Sequence, residues 1–205
     1  MYKNLENGRS MIEMLGVLAI IAVLSVGGIA GYSIAMEMYK VNKLIGEYSH
    51  LIVGAKEVFS NPKLSKGYWG GGSGERIFRD LGYVPDTWKG SLYDSAGNIV
   101  WLYAEHNNAD GSISSHHINI YPIGLSGRAR VSFCRALFLN FGKQFNYLLE
   151  EVRNGKPLSV ATKKQTIYCS PTDTTCLNNA CNLLKDDIVG HHQDTSINFA
   201  KINPY

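Results

Sequence analysis

Met14–Met36 reads MLGVLAIIAVLSVGGIAGYSIAM, a run without a charged residue. At about 1.5 Å of rise per residue the run is about 34 Å long as a helix. A hydrocarbon core of about 30 Å is therefore crossed with little to spare, and the run is read as a membrane-spanning helix. Lys3 and Arg9 precede it and Glu37, Lys40 and Lys43 follow, so basic residues orient it only weakly. The short N-terminal tail is the part easier to leave in the cytoplasm, which puts the remainder outside. Past Met36 the helical pattern changes character. Val41, Leu44, Ile45, Tyr48, Leu51, Ile52, Ala55, Val58 and Phe59 recur at three- and four-residue steps, with Lys40, Asn42, Lys43, Glu47, Ser49 and Lys56 between them. That spacing makes an amphipathic face, and Asn61-Pro62 supplies a stop. One helix is expected from about Met11 to Ser60, apolar all round in its first half and striped in its second. A stripe needs a cover, which the rest of the chain must provide.

The chain has 205 residues, 45% of them hydrophobic and 18% charged, enough apolar material for one ordinary core plus an appendage. A net charge of +3 without a basic stripe gives no reason to infer a nucleic-acid partner. After the glycine-rich 67–74 stretch, Glu75–Leu81 reads as a short helix closed by Gly82 and Pro85. The period then becomes two: Asn98–Glu105 and His117–Gly124 read as strands either side of a polar loop at 107–115. Arg128–Phe141 returns to helical spacing, with Val131, Cys134, Leu137, Phe138 and Phe141 on one face. Gln144–Val152 reads as a further strand or short helix before a turn at Asn154-Gly155, and Ser196–Ala200 as a short strand. The expected fold class is α+β: a long N-terminal helix packed against a small antiparallel sheet, with a cysteine-rich C-terminal region.

The residues ahead of the apolar run are the most informative. Gly8–Leu15, GRSMIEML, sets a glycine and one acidic residue just before the helix. This resembles the processing site of type IV prepilins, in which a membrane-embedded peptidase cuts after the glycine and methylates the new amino group, and a glutamate stands fifth in the mature chain. The resemblance implies cleavage between Gly8 and Arg9, N-methylation of Arg9 and an assembly role for Glu13. Arg9 is basic where the family usually has an apolar residue, and the helix lacks the proline that members often carry; Gly27, Gly28 and Gly31 offer a substitute softening. The role of Glu13 also has a physical basis. A carboxylate costs roughly 2.5–3.5 kcal/mol at the bilayer centre and less near the interface, so it persists there only if it is paired or reaches water. The α-amino group of a neighbouring subunit is a suitable partner.

LGYVPDTW, NIVWLY and INIYPIGLSGRARVSFCRAL resemble the globular part of type IVb pilins. The implied organisation is a leader at 1–8, a transmembrane and filament-core helix at 9–36, its amphipathic continuation at 37–61, and a head domain at 62–205. The implied partners are identical or related pilins in a helical filament, a prepilin peptidase, the inner-membrane assembly machinery, and the membrane itself before assembly. The implied location is the bacterial inner membrane for the precursor and an extracellular pilus once assembled, serving adhesion, conjugation or a related surface function.

Cys134, Cys169, Cys176 and Cys181 fall on the side expected outside, where disulfides persist, and four cysteines allow three pairings. The resemblance implies Cys134 with Cys181, and with it Cys169 with Cys176. Cys-x6-Cys-x4-Cys is not zinc-ligand spacing. His116-His117 and His191-His192 read as solvated loop residues, and Asp186, Asp187 and Asp194 lack the alternating pattern of a calcium loop. No nucleophile elbow, zinc-protease or phosphate-loop motif occurs, so neither catalysis nor a cofactor or metal is expected. Two other readings stand beside the first. One is a minor pilin or type II secretion pseudopilin, which shares the processing. The other is a membrane-anchored periplasmic binding protein or enzyme, although an ordinary signal peptide has its basic leader and small-residue cut differently placed and Glu13 before the run argues against one.

Overall fold

The computed structural model describes residues 7–61, 73–90, 93–106, 113–146, 158–162, 165–170, 172–185 and 196–202. They form α1 (Asn7–Ser60), α2 (Ser73–Asp80), β1 (Ile99–His106), β2 (Ile113–Tyr121), α3 (Gly127–Asn146), β3 (Leu158–Ala161), β4 (Thr166–Cys169), α4 (Thr174–Asn182) and β5 (Ser196–Ile202). The chain divides into two compact units, Met1–Tyr39 and Lys40–Tyr205.

In the first unit every side chain from Met11 to Ala35 is exposed. In the second, the expected stripe of α1 is buried: Val41, Leu44, Tyr48, Leu51, Ile52, Ala55, Val58 and Phe59 are each at most 5% exposed. Burial of a side chain of this size is worth about 1.5–3 kcal/mol, so packing outweighs helix propensity in holding this half. Beyond Ser60, Asn61 N–H turns back to the Val58 carbonyl at 3.2 Å. Gly82 ends α2: it takes φ 77°, while Gly82 N–H and Tyr83 N–H reach the carbonyls of Arg79 and Phe78 at 2.9 and 2.8 Å, as a left-handed C-terminal cap requires.

The sheet is antiparallel throughout, in the order β1-β2-β5-β3-β4. Its register aligns Val100, Ile120, Ile197, Val160 and Ile167 in one row across all five strands. The neighbouring inward row includes Leu102, Ile118 and Cys169. These residues share a core with the α1 stripe and with Phe133, Cys134, Leu137, Phe138 and Phe141 of α3. Alternate residues of a strand face opposite ways, which is why one sheet face is apolar in every strand. The α+β class and the packing of a long helix on a small antiparallel sheet are therefore as expected.

Several local expectations change. β2 starts at Ile113, four residues ahead of the strand expected from His117, so His116 joins the strand and neither histidine is a solvated loop residue. Both are buried, at 0% and 8% exposed, and the His116 ring stacks on Phe59 with centroids 4.5 Å apart and planes 6° apart. β2 also ends at Tyr121 rather than Gly124. Gln144–Asn146 continue α3, and 147–152 lie outside the described residues, as do the turn at Asn154-Gly155, His191-His192, Asp186, Asp187, Asp194 and the loop at 67–72. Two strands and a helix, β3, β4 and α4, lie in a stretch for which the sequence pattern predicts no element.

Candidate functional site

Of the residues named from the sequence, Gly8, Arg9 and Glu13 lie in the opening turns of α1, and Glu13 is exposed. Beyond Glu13 the large side chains stand open all round the helix: Leu15 is 65% exposed, Val23 73% and Ile29 71%. The segment is long and apolar enough to cross a membrane. Roughly six turns of apolar surface are far more than a soluble monomer usually leaves in water. Gly16, Gly27, Gly28 and Gly31 have open space where a Cβ would stand. Small residues allow close backbone approach between helices in lipid. The segment therefore presents a continuous apolar surface with one carboxylate just ahead of it.

The four cysteines form two bridges. Cys134 on α3 is joined to Cys181 on α4, with Cα atoms 5.6 Å apart, and Cys169 at the end of β4 is joined to Cys176 on α4, with Cα atoms 5.7 Å apart. α4 is thus fastened at both ends. Its N-cap is Asp173, whose side chain accepts the Cys176 N–H at 2.9 Å, and Leu177, Ala180 and Cys181 face the core.

Sequence reasoning missed a polar cluster where the 81–98 segment meets the second half of α1. The turn DSAGN (94–98) contains an Asx-type signal, since Asp and Gly three residues apart favour a side-chain-stabilised turn. Asp94, 3% exposed, accepts from Ala96 N–H and Asn98 N–H on Oδ1, each at 2.9 Å. On Oδ2 it accepts from the Tyr48 hydroxyl at 2.9 Å and Asn98 Nδ2 at 2.7 Å. Asn98 Oδ1 in turn accepts Gly124 N–H at 3.0 Å. Burial pushes the Asp94 carboxyl above the ordinary carboxylate range, opposed by these donors, and burial, then Asp94, pushes the Tyr48 phenol well up. Next to Tyr48, Glu47 accepts from Trp88 Nε1 at 2.9 Å and the Thr87 hydroxyl at 3.1 Å, with Lys43 at 3.9 Å. Tyr83 closes the same contact: its ring lies where a Cβ on Gly54 would stand, and its hydroxyl donates to Glu57. Among the described residues no group of three or more His, Cys, Asp or Glu is placed to hold a metal ion.

Compared with known proteins, the chain matches no family model, no curated protein and no solved structure.

Proposed function

We propose that this chain is a type IVb-like pilin: a structural, non-enzymatic subunit cut after Gly8, methylated at Arg9, and polymerised through the first half of α1 into an extracellular filament. The observation that carries the reading is the fully exposed, charge-free run of α1 behind Glu13. A long apolar helix continuing into the core of a small antiparallel sheet domain with two disulfides is also a pilin-like combination. The membrane holds the run before assembly, and the same run of neighbouring copies replaces lipid in the filament. Glu13 then pairs with the α-ammonium of the next subunit, neutralising two charges that would otherwise enter an apolar bundle unpaired.

The intact mass of subunits from sheared filaments tests this. A chain beginning at methylated Arg9 is expected, and a mass that includes Met1 refutes it. Replacement of Gly8 by a larger residue should leave the leader attached. Glu13→Ala should be processed and inserted normally yet yield at least tenfold fewer filaments, with subunits accumulating in the membrane fraction. A normal filament yield with Glu13→Ala as the only subunit would remove Glu13 from assembly.

A further inference from the structure

The two disulfides differ in access. Cys134 and Cys181 are both 0% exposed and lie in the core, so an external thiol reaches neither sulfur without opening the domain. Cys169 is likewise 0% exposed. Cys176 is half-buried and stands in the first turn of α4, beside the exposed residues Asp173, Thr174 and Thr175. Its sulfur lies 3.4 Å from the Tyr168 carbonyl oxygen, and the Asp173 carboxylate beside it is engaged by the Cys176 N–H at 2.9 Å. Thiol–disulfide exchange requires a thiolate to approach one sulfur of the pair, and its rate depends on which sulfur can be reached.

We propose that Cys169–Cys176 is a thiol-exchange site of the folded head, entered at Cys176 Sγ by a soluble dithiol, while Cys134–Cys181 is closed to exchange. In the first step a dithiol sulfur bonds to Cys176 Sγ, the Cys176–Cys169 bond breaks, and its electron pair leaves on Cys169 Sγ, which takes a proton from water. The second sulfur of the dithiol then displaces Cys176 Sγ, which is protonated in turn, and the dithiol departs as its cyclic disulfide. Two electrons pass from the dithiol to the cysteine pair. α4 stays attached to α3 through Cys134–Cys181, so opening the short bridge frees only the link between β4 and α4.

The test uses the full chain in detergent micelles. Dithiothreitol is added without denaturant, samples are alkylated over time, and the peptides are mapped. Alkylation at Cys169 and Cys176 at least tenfold faster than at Cys134 and Cys181 is expected. In a second measurement Cys169→Ser should leave a Cys176 that reacts with an aromatic disulfide reagent in the folded protein, whereas Cys176→Ser should leave a Cys169 that reacts only after denaturation. Equal reduction rates for the two bridges, earlier loss of Cys134–Cys181, or a Cys169 as reactive as Cys176 would each overturn the assignment.

Discussion

Asp94→Ala is the substitution expected to damage the head most for its size. The carboxylate serves four donors, all from groups in or beside the core: Tyr48 Oη, Ala96 N–H, Asn98 N–H and Asn98 Nδ2. Each buried donor left without an acceptor costs about 1–3 kcal/mol. Removing a buried carboxylate also relieves a desolvation penalty, so the four costs do not add, and the net loss should be on the order of 3–5 kcal/mol, at the upper end of single-substitution effects. At about 2–4 °C per kcal/mol for a domain of this size, the melting temperature should fall by about 6–20 °C. Asp94→Asn should cost less, about 1–3 kcal/mol, because only one of its two termini becomes a donor. Placed at the Oδ2 position, the new amide faces Tyr48 Oη, which can rotate to accept, and Asn98 Nδ2, which cannot. Turning Asn98 over would sacrifice its bond to Gly124 N–H.

The pH dependence has a definite sign. Burial raises the Asp94 carboxyl above its unfolded value, so the folded head binds this proton more tightly than the unfolded chain. The resulting contribution is fully present below the unfolded carboxylate pKa of about 3.9 and is lost as pH rises through the raised folded value. The stability advantage of the wild type over Asp94→Asn should therefore shrink across the window just above the ordinary carboxylate range. Trp88, 6% exposed with its ring 5.4 Å from Tyr48, is a local fluorescence reporter for thermal unfolding at several pH values. An Asp94→Ala protein that melts within 2 °C of wild type, taking about 2–4 °C per kcal/mol as the scale, would refute the accounting.

Three further outcomes follow from close packing, helix propensity and loop closure. Gly54→Val should destabilise the head by about 1–3 kcal/mol through overpacking against the Tyr83 ring, and Tyr83→Ala should recover part of the loss. Gly46→Ala, made where a Cβ meets nothing, should stabilise α1 by about 0.5–1 kcal/mol; chemical denaturation of the three variants measures both effects. In the chain-entropy account, a bridge across 47 residues contributes about 4 kcal/mol and one across 7 about 2.5 kcal/mol. Cys134→Ser should thus lower the denaturation midpoint more than Cys169→Ser, and equal midpoints would show that closure entropy is not what separates them.

The parts legible in the sequence are those with long periodic signals. The stripe from Val41 to Phe59 needs only helical spacing to be read, and eight of its nine positions are found buried, with Ile45 partly so. β1 likewise carries its own alternation. β3 and β4 are four residues each, too short for alternation to rise above chance, and their place depends on β5, which inserts between β2 and β3. That pairing joins residues far apart in sequence and has no local signature. His116 and His117 misled for a related reason: SISSHH is polar in composition, and only the partners Ala104 and Tyr103 on β1 and Lys201 and Ala200 on β5 make it a central strand. In α4 part of the signal was present, since Asp173 is of the residue type that favours an N-cap. It was obscured by the disulfide-bearing cysteines around it.

The polar cluster was hidden because it breaks the stripe. Glu47 belongs to the polar side of the pattern, yet it is 8% exposed and faces Trp88 and Thr87. Tyr48 fits the apolar side while its hydroxyl serves Asp94. Apolar contact is non-directional, so Leu44, Leu51, Ala55 and Val58 fix the axial position of the 81–98 segment less sharply than the Tyr83 ring seated over Gly54 does. Hydrogen bonds lose their strength with a displacement of a fraction of a helical turn. The bonds from Tyr48 to Asp94 and from Trp88 to Glu47, on adjacent residues of α1, therefore act with the Tyr83–Gly54 contact to hold one axial position. For a subunit proposed to stack through its own helix, that position matters beyond stability, because any slip of the head along α1 would be repeated in every copy of the filament.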